Sequence, residues 1–341
     1  ETDDRAVTVV VPPRALPPTP RSWGWMLQLY ALHSPGSWGL GDLGDLRTFA
    51  TWTGPEHGAS AVLLNPLHAI TPVPPVQPSP YTPSSRRFGT PLALRVTDID
   101  VYARPDPPTR AEVDALRPEQ VGDRIDYDRS WAAKRAATEL LWRAAGRPAP
   151  AVTTPDLDLF ALFCALAERY ASQWSRWPEG LRHPSSPAVT RAADELAPRV
   201  AYHAWLQGEV QRQLGDVRAA AREVGVRVVH DLAVGCDPEG FDGWAWQDVL
   251  ALGARVGAPP DAFSQQGQDW GLPPWRPDRL DATGYAAYRD LVRALLRQAD
   301  GLRVDHVAGL FRLWWVPPGV GPAGGTYVHS NAEVMLAVLT L

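Results

Sequence analysis

The sequence predicts an α/β protein built on parallel strands, and among such folds a (β/α)8 barrel. Short apolar runs alternate along the chain with stretches of helical periodicity, which is typical of parallel strands joined by helical crossovers. The first run, Trp25–Tyr30, is not followed by the GxGxxG turn of a dinucleotide-binding sheet. Polar residues stand directly after three predicted strands, at Asn65, Asp231 and Asp305. In a barrel this position is the rim that carries the active site, although strands also end in such residues for structural reasons.

Composition narrows the class of protein. The 341 residues carry 33 Lys and Arg against 38 Asp and Glu, a formal net charge of −5. This acidic balance argues against a nucleic-acid-binding or membrane-surface protein. No apolar run approaches the roughly 20 residues that a membrane-spanning helix needs. Cys164 and Cys236 show no metal-binding spacing and fit a reducing compartment, so a cytoplasmic location is expected.

The first hundred residues divide into a tail and the start of the alternation. Thr8–Val11 predicts a lone strand and residues 11–20 a proline-rich linker, so we interpret residues 1–20 as the tail of an N-terminal β-rich domain plus that linker. The elements predicted after residue 21 are a strand within Trp25–Tyr30, a helix at Gly41–Trp52, and strands at Ala61–Leu64 and Pro91–Val96.

The middle of the chain, from about residue 103 to 199, predicts a mostly helical insertion. Apolar residues recur there at helical intervals over Asp128–Ala145 and Leu157–Trp174. The alternation then resumes. Its predicted elements are a helix at Ala201–Glu223 closed by Gly225, a strand at Val226–Val229, a long stretch rich in Gly, Pro and Trp over residues 236–284, a helix at Tyr285–Ala299 and a strand at Leu302–Val304.

The strand at Leu302–Val304 carries the strongest chemical signal. Residues two apart on a strand face the same side, so Arg303 and Asp305 project together. A nearby guanidinium favours the ionised form of a carboxylate, and an ionised carboxylate is the nucleophile of covalent glycosyl transfer. A purely structural Arg–Asp pair would have the same pattern.

Tryptophan supplies a second signal, because 15 of the 341 residues are Trp. Aromatic rings stack on the apolar faces of sugars, so tryptophans near the predicted rim indicate an oligosaccharide cleft, with a Trp-rich core as the alternative. The six in question are Trp244, Trp246, Trp270, Trp275, Trp314 and Trp315.

Five blocks in order carry a family resemblance: LQLYAL…SWGLGDLGDL, LLNPLHA, SPYTPSSRRF, GAPPDAFSQQGQDWGLPP and GLRVDHVAGLFRLWW. Together they resemble the 4-α-glucanotransferases of glycoside hydrolase family 77, also called amylomaltases or disproportionating enzymes. The resemblance implies a (β/α)8 barrel with inserted subdomains, of which residues 21–341 are the N-terminal part. It also implies retaining cleavage of an α-1,4-glucan, followed by transfer of the bound piece to a 4-hydroxyl of another glucan or glucose.

The resemblance assigns roles to individual residues. Asp305 matches the catalytic nucleophile, with Arg303 as its companion. The remaining matches are expected to bind substrate: Asp231 at the sugar of subsite −1, Tyr81 as the platform under that sugar with Ser79 beside it, Gln268 and Trp270 in the loop that covers the cleft, and His306 near the cleft. The implied partners are maltooligosaccharides, starch or glycogen. The implied reaction needs neither a metal nor an organic cofactor, and the oligomeric state stays open.

The sequence also departs from the family pattern. The acid/base Glu of a GEDLG-type segment and the Asp of an HDN-type segment are not found after Asp305, and the last helix, EVMLAVLTL, has an apolar face that needs cover. The barrel is therefore expected to be incomplete in this chain, with its C-terminal strands missing. This leaves a glucan-binding but inactive fragment as an alternative.

Two further alternatives are a hydrolase of the α-amylase clan and a proline-motif scaffold. A hydrolase would share the rim carboxylates but differ in its products. The scaffold alternative depends on VPPVQPSPYTP at Val73–Pro83, which could dock as a polyproline helix.

Overall fold

The computed structural model describes residues 9–16, 18, 21–119 and 124–340, and its content of strands and helices confirms the α/β class. The strands are β1 (Gly24–Leu27), β2 (Ala61–Leu64), β3 (His68–Ala69), β4 (Ser85–Gly89), β5 (Arg227–Leu232), β6 (Arg255–Ala258), β7 (Gln268–Leu272), β8 (Gly301–Val304), β9 (Arg312–Val316) and β10 (Thr326–His329). The α-helices are α1 (Leu43–His57), α2 (Pro107–Ala115), α3 (Tyr127–Ala144), α4 (Pro155–Tyr170), α5 (Pro187–Glu195), α6 (Ala197–Glu223), α7 (Phe241–Ala245), α8 (Pro277–Ala282), α9 (Ala286–Leu296) and α10 (Ala332–Thr340).

A four-stranded parallel sheet organises the molecule. Its order is β1-β2-β5-β8, and every neighbouring pair is parallel. Apolar side chains such as Val62 and Val228 are fully buried in a core shared with α1 and α6, and this burial explains why these short runs form strands. Since the strands run in one direction, their carboxyl ends lie along one edge of the sheet, where Asp231 and Asp305 also lie.

The stretch between residues 103 and 199 is helical in its described part, whereas residues 120–123 lie outside it. The two predicted helices are confirmed as α3 and α4. Each begins at a side-chain cap: Asp126 accepts a hydrogen bond from the amide of Arg129, and Thr154 accepts one from that of Leu157. Helix α4 ends at Tyr170, earlier than predicted, where the next residue adopts a positive φ of 70°.

The predicted strand at Pro91–Val96 is wrong. Pro91–Val96 forms 3-10 turns at Pro91–Ala93 and Val96–Asp98, because Thr90 caps the first turn and Pro91 begins it. The residues of the Thr8–Val11 prediction that are described, 9–11, pair with no other strand, and Thr8 lies outside the described residues. The interpretation of residues 1–20 as the tail of a β-rich domain therefore stays a prediction.

Residues 236–284 contain more structure than their composition predicts. They hold α7 and α8 and the antiparallel pair β6–β7, which joins β9 and β10 in a second sheet of order β10-β9-β6-β7. Val256 and Leu272 face its packed side, and Gly257 permits the close approach of the strands. In the described ranges, no helix is both long and apolar enough to span a membrane.

Candidate active site

The candidate site lies at the carboxyl ends of β5 and β8. Asp231 is the residue paired with Arg303 across these strands, and the amide of Asp305 donates to the carbonyl of Leu232 at 3.2 Å. Strand β5 runs three residues further than predicted, from Val229 to Leu232, so Asp231 belongs to the strand rather than following it. The alternation of side chains then places Asp231, Arg303 and Asp305 on one side of the sheet.

One guanidinium joins the two carboxylates. Arg303 Nη1 donates to both oxygens of Asp231, at 2.7 and 2.6 Å, and Arg303 Nη2 donates to Asp305 Oδ1 at 2.8 Å. The Asp231 side chain is only 4% exposed, whereas that of Asp305 is 28% exposed. The hydrogen bond to Asp231, with the attraction of both carboxylates, raises the pKa of Arg303 above its usual range, so the guanidinium stays charged.

Tyr81 adds an aromatic ring to this group. Its hydroxyl donates to Asp231 Oδ2 at 3.0 Å, while its ring is exposed. Burial, followed by the hydrogen bond to Asp231, raises the pKa of the Tyr81 phenol. Ser79 lies two residues away, and its hydroxyl accepts a bond from the amide of Tyr81 at 3.3 Å. Ser79 therefore supports the turn that presents Tyr81.

A cleft of about 390 Å³ opens beside these residues, a volume within the range of small-ligand sites. Trp270 and His306 meet edge to face in its wall, with ring centroids 5.2 Å apart. Gln268 Oε1 accepts the indole N–H of Trp270 at 2.9 Å. His306 has a positive φ of 50°, an uncommon conformation for a residue other than Gly and one that recurs at functional sites. The cleft is lined by Tyr81, Thr82, Val234, Trp270, Leu272, Asp305 and His306.

The structure does not bring every predicted residue to this cleft. Among the six rim tryptophans, Trp270 is the one that lines it, and Trp244 is fully buried in the core of α4. The interpretation of all six as loop residues is therefore wrong, because Trp244 lies in α7, Trp270 in β7, and Trp314 and Trp315 in β9. Asn65, directly after β2, instead binds the 3-10 turn that follows β1, since its Oδ1 accepts the amide of Leu29 at 2.7 Å.

The sequence interpretation missed two residues that support the site, His68 on β3 and Arg86 on β4. His68 Nε2 accepts the amide of Ala233 at 3.2 Å, and Arg86 Nη1 donates to the carbonyl of Val234 at 3.0 Å. Burial, with repulsion from Arg86, lowers the pKa of His68 to about 3, so its imidazole is neutral and able to accept. Two arginines inside the SSRRF block were the available signal, because arginine in a fully buried strand requires specific partners.

Carboxylates, a guanidinium and aromatic rings gathered at the carboxyl ends of parallel strands are typical of carbohydrate-active α/β enzymes. The comparisons agree with this class. The chain belongs to glycoside hydrolase family 77, described as 4-alpha-glucanotransferase, whose model matches residues 27–341.

Relatives and solved structures support the same family. The chain is 47% identical to the 4-alpha-glucanotransferase of Mycobacterium tuberculosis over 94% of its own length and 47% of the relative's, and 32% identical to that of Haemophilus influenzae, covering 94% and 50%. It therefore spans about half the length of these curated relatives. Amylomaltase from Corynebacterium glutamicum superposes with a TM-score of 0.79 at 34% identity, covering 93% of this chain and 45% of that one. Amylomaltase from Streptococcus agalactiae in complex with acarbose, at 19% identity, a TM-score of 0.78 and coverages of 94% and 66%, shows the fold alone.

Proposed function

We propose that the protein carrying this chain is a 4-α-glucanotransferase that moves α-1,4-glucan segments between maltooligosaccharides, starch or glycogen. The observation that carries the proposal is Arg303 bridging Asp231 and Asp305 at the rim of the parallel sheet, beside the ring of Tyr81. Family membership supports the reaction, and the open cleft at Asp305 gives a glucan access to the carboxylate.

In the proposed reaction, Asp305 attacks the anomeric carbon of a bound α-glucan. The glycosidic bond breaks, its oxygen takes a proton, and a β-glucosyl ester of Asp305 forms. The 4-hydroxyl of an acceptor then attacks the same carbon, gives up its proton and releases Asp305, which restores the α linkage. The resemblance places the acid/base on a Glu in a GEDLG-type segment, which these 341 residues do not contain.

The other residues take supporting roles in the proposal. Asp231 and Arg303 bind the reacting sugar and orient Asp305, and Tyr81, held by Ser79, stacks beneath that sugar. Trp270, His306 and Gln268 form the wall on which the rest of the glucan lies. The β6–β7 loop holds Pro259, Pro260 and a fully exposed Phe263, and it would keep water from the covalent intermediate when it covers the cleft.

The architecture extends the proposal. We infer that β1, β2, β5 and β8 are four adjacent strands of a (β/α)8 barrel, that residues 21–341 supply the N-terminal part of this barrel, and that residues 103–199 are its helical insertion. The sequential strand order, with all carboxyl ends at one edge, supports the barrel, and α2–α5 support the insertion. A cytoplasmic location is also proposed, since Cys164 and Cys236 are both free thiols.

Disproportionation of maltotriose tests the function. We expect free glucose and a ladder of longer maltodextrins, and we expect Asp305→Asn to lower kcat by about a thousandfold or more, because the nucleophile is lost. Asp269→Asn is the matched control. Its carboxylate is 26% exposed and pairs with Arg255 at 2.7 Å, but it does not line the cleft.

Other outcomes would contradict the proposal. Net release of reducing ends without longer products would indicate a hydrolase. Maltodextrin binding without turnover would indicate a glucan-binding protein. Equal activity of the two variants would remove Asp305 from the reaction.

A further inference from the structure

The short β3–β4 ribbon holds the end of β5 from behind. His68 accepts the amide of Ala233, and Arg86 donates to the carbonyls of Ala233 and Val234 at 3.5 and 3.0 Å. Both polar groups of Ala233 are therefore bound by the same ribbon. The segment Asp231–Val234 begins with a site carboxylate and ends with a residue that lines the cleft.

Arg86 is buried, and its closest side-chain contacts are with backbone carbonyls rather than with a carboxylate. The residue is 2% exposed, and its nearest carboxylate, Asp242, lies 3.8 Å from Arg86 Nε and is shared with Arg87 at 3.6 Å. The Arg86 guanidinium also lies 5.1 Å from the ring centroid of Trp275. A buried charge is costly unless polar groups satisfy it. The Arg86 guanidinium donates hydrogen bonds to the carbonyls of Ala233 and Val234. The Asp231–Val234 segment therefore provides the polar groups that compensate this buried charge.

The same segment is connected to Asp305. The carbonyl of Leu232 accepts the amide of Asp305, and Arg303 ties the two carboxylates together. Displacement of Asp231–Val234 would therefore move Asp231 directly and Asp305 through both links. A small cavity of about 50 Å³, lined by Arg86, Tyr288, Asp305 and His306 among others, lies beside these residues and gives them room to shift.

We propose that Arg86 is a positioning residue for glucan transfer, which fixes the Asp231–Val234 segment and through it the reacting carboxylates. This inference rests on the proposed function. Its consequence is a loss expressed in kcat more than in KM, since substrate still meets the Tyr81 and Trp270 rings while the attacking carboxylate is displaced.

The experiment compares Arg86→Ala with Arg87→Ala in the transfer assay. Arg87 is the matched control because it is also buried, follows Arg86 on β4, and shares Asp242. Its guanidinium pairs with Asp156 at 3.1 Å and lies over the rings of Trp246 and Phe241 at 3.9 and 5.1 Å, away from residues 231–234. We expect Arg86→Ala to lower kcat by about tenfold to a hundredfold with a smaller change in KM, and Arg87→Ala to lower thermal stability with kcat retained.

Chemical rescue separates positioning from folding. Added guanidinium chloride at low concentration should restore part of kcat to Arg86→Ala and none to Arg87→Ala. Should Arg86→Ala not fold, Arg86→Lys and Arg86→Met keep the length of the side chain. Only the lysine can donate to the two carbonyls, so we expect its kcat to exceed that of the methionine variant by about tenfold.

Each result decides between the possibilities. Equal kcat in Arg86→Lys and Arg86→Met, or equal losses with equal rescue in the two alanine variants, would overturn the role of Arg86 while leaving the proposed function intact. Absence of transfer by the unsubstituted protein would instead overturn the proposed function, and the role of Arg86 with it.

Discussion

Asp305 is the residue whose surroundings best fit a nucleophile. Its Oδ1 accepts from Arg303, whereas its Oδ2 accepts no hydrogen bond within the described part of the chain, as the proposed attack requires. Asp231 differs, because both of its oxygens accept from Arg303 and Oδ2 also accepts from Tyr81. The two carboxylates are alike in chemistry, and this difference in hydrogen bonding supports the proposed roles of Asp305 as the nucleophile and Asp231 as a binding residue.

Tyr81 separates the contribution of a ring from that of a hydroxyl. We expect Tyr81→Phe to raise KM for maltotriose by about three- to tenfold, since it removes one hydrogen bond to Asp231, which Arg303 still holds. Tyr81→Ala should raise KM further, because the sugar also loses its stacking surface. Tyr327→Ala is the control, because Tyr327 is similarly exposed but lies on β10 and does not line the cleft. Steady-state kinetics would contradict the platform role if the Phe and Ala variants behaved alike.

At the scale of single elements, the start of α1 holds two buried carboxylates that pair with the half-buried Arg95. Asp42 caps the helix and forms a capping box with Asp45, and Arg95 pairs with both carboxylates at 2.7 and 2.6 Å. Asp42 and Asp45 are buried, and Arg95 is the cation that forms ion pairs with both of them. The GDLGDL block of the family resemblance therefore has a structural explanation in the described chain.

Arg95→Ala should lower the free energy of unfolding by about 3 kcal/mol or more, because it leaves buried carboxylates unpaired. Arg104→Ala serves as the control. Its pair with Asp100, at 2.6 Å, is exposed on both sides, and an exposed pair contributes about 1 kcal/mol or less. Urea denaturation of both variants measures the difference, and equal losses would show that burial does not decide the effect.

Helices α4 and α6 are joined by contacts of Glu168 with Arg199 and His203, and these contacts make the stability of the fold depend on pH. Burial alone would raise the pKa of Glu168, but His203, with Nε2 at 3.2 Å, and Arg199, with two hydrogen bonds, lower it to about 2. The ordinary pKa of a glutamate side chain is 4.5, so as the pH falls Glu168 takes up its proton in the unfolded chain before it does so in the folded chain. Glu168 therefore stabilises the fold above pH 4.5, and this stabilisation is lost as the pH falls towards 2.

Denaturation at neutral and acidic pH tests this prediction. Glu168→Gln should lower the stability at neutral pH and flatten the acid dependence between pH 4.5 and 2. The exposed Glu179→Gln should leave both unchanged. An unaltered acid dependence in Glu168→Gln would show that other groups govern it.

Some secondary-structure elements could be predicted from the sequence and others could not. Ala61–Leu64 and the helices α3 and α4 were predictable, because apolar periodicity and caps are local signals. Strand β4 and the antiparallel sheet were not, because their ladders depend on partners distant in sequence, such as β6 with β9. At the site, the spacing of Arg303 and Asp305 predicted their common side. It could not show that Arg303 binds Asp231 more extensively, which depends on the β5–β8 register.

At the scale of the whole molecule, both sheets contribute residues to the candidate site. The parallel sheet carries Asp231, Arg303 and Asp305, while β7 of the antiparallel sheet contributes Trp270 and Leu272 to the same cleft. The alternative of a scaffold role for Val73–Pro83 is not favoured, because this segment contains Tyr81, whose hydroxyl donates to Asp231. The chain spans about half the length of its curated relatives, so the central claim requires a test that does not depend on the acid/base.

Covalent labelling with an α-glucosyl fluoride that carries a second fluorine at C5 provides that test. Fluoride leaves without protonation, and the C5 fluorine slows release of the ester, so the intermediate accumulates on the nucleophile. Intact mass and peptide mapping should show one added fluoroglucosyl group on Asp305, and none in Asp305→Asn. A label on Asp231 or another side chain, or the same label on Asp305→Asn, would contradict the assignment of Asp305 as the nucleophile.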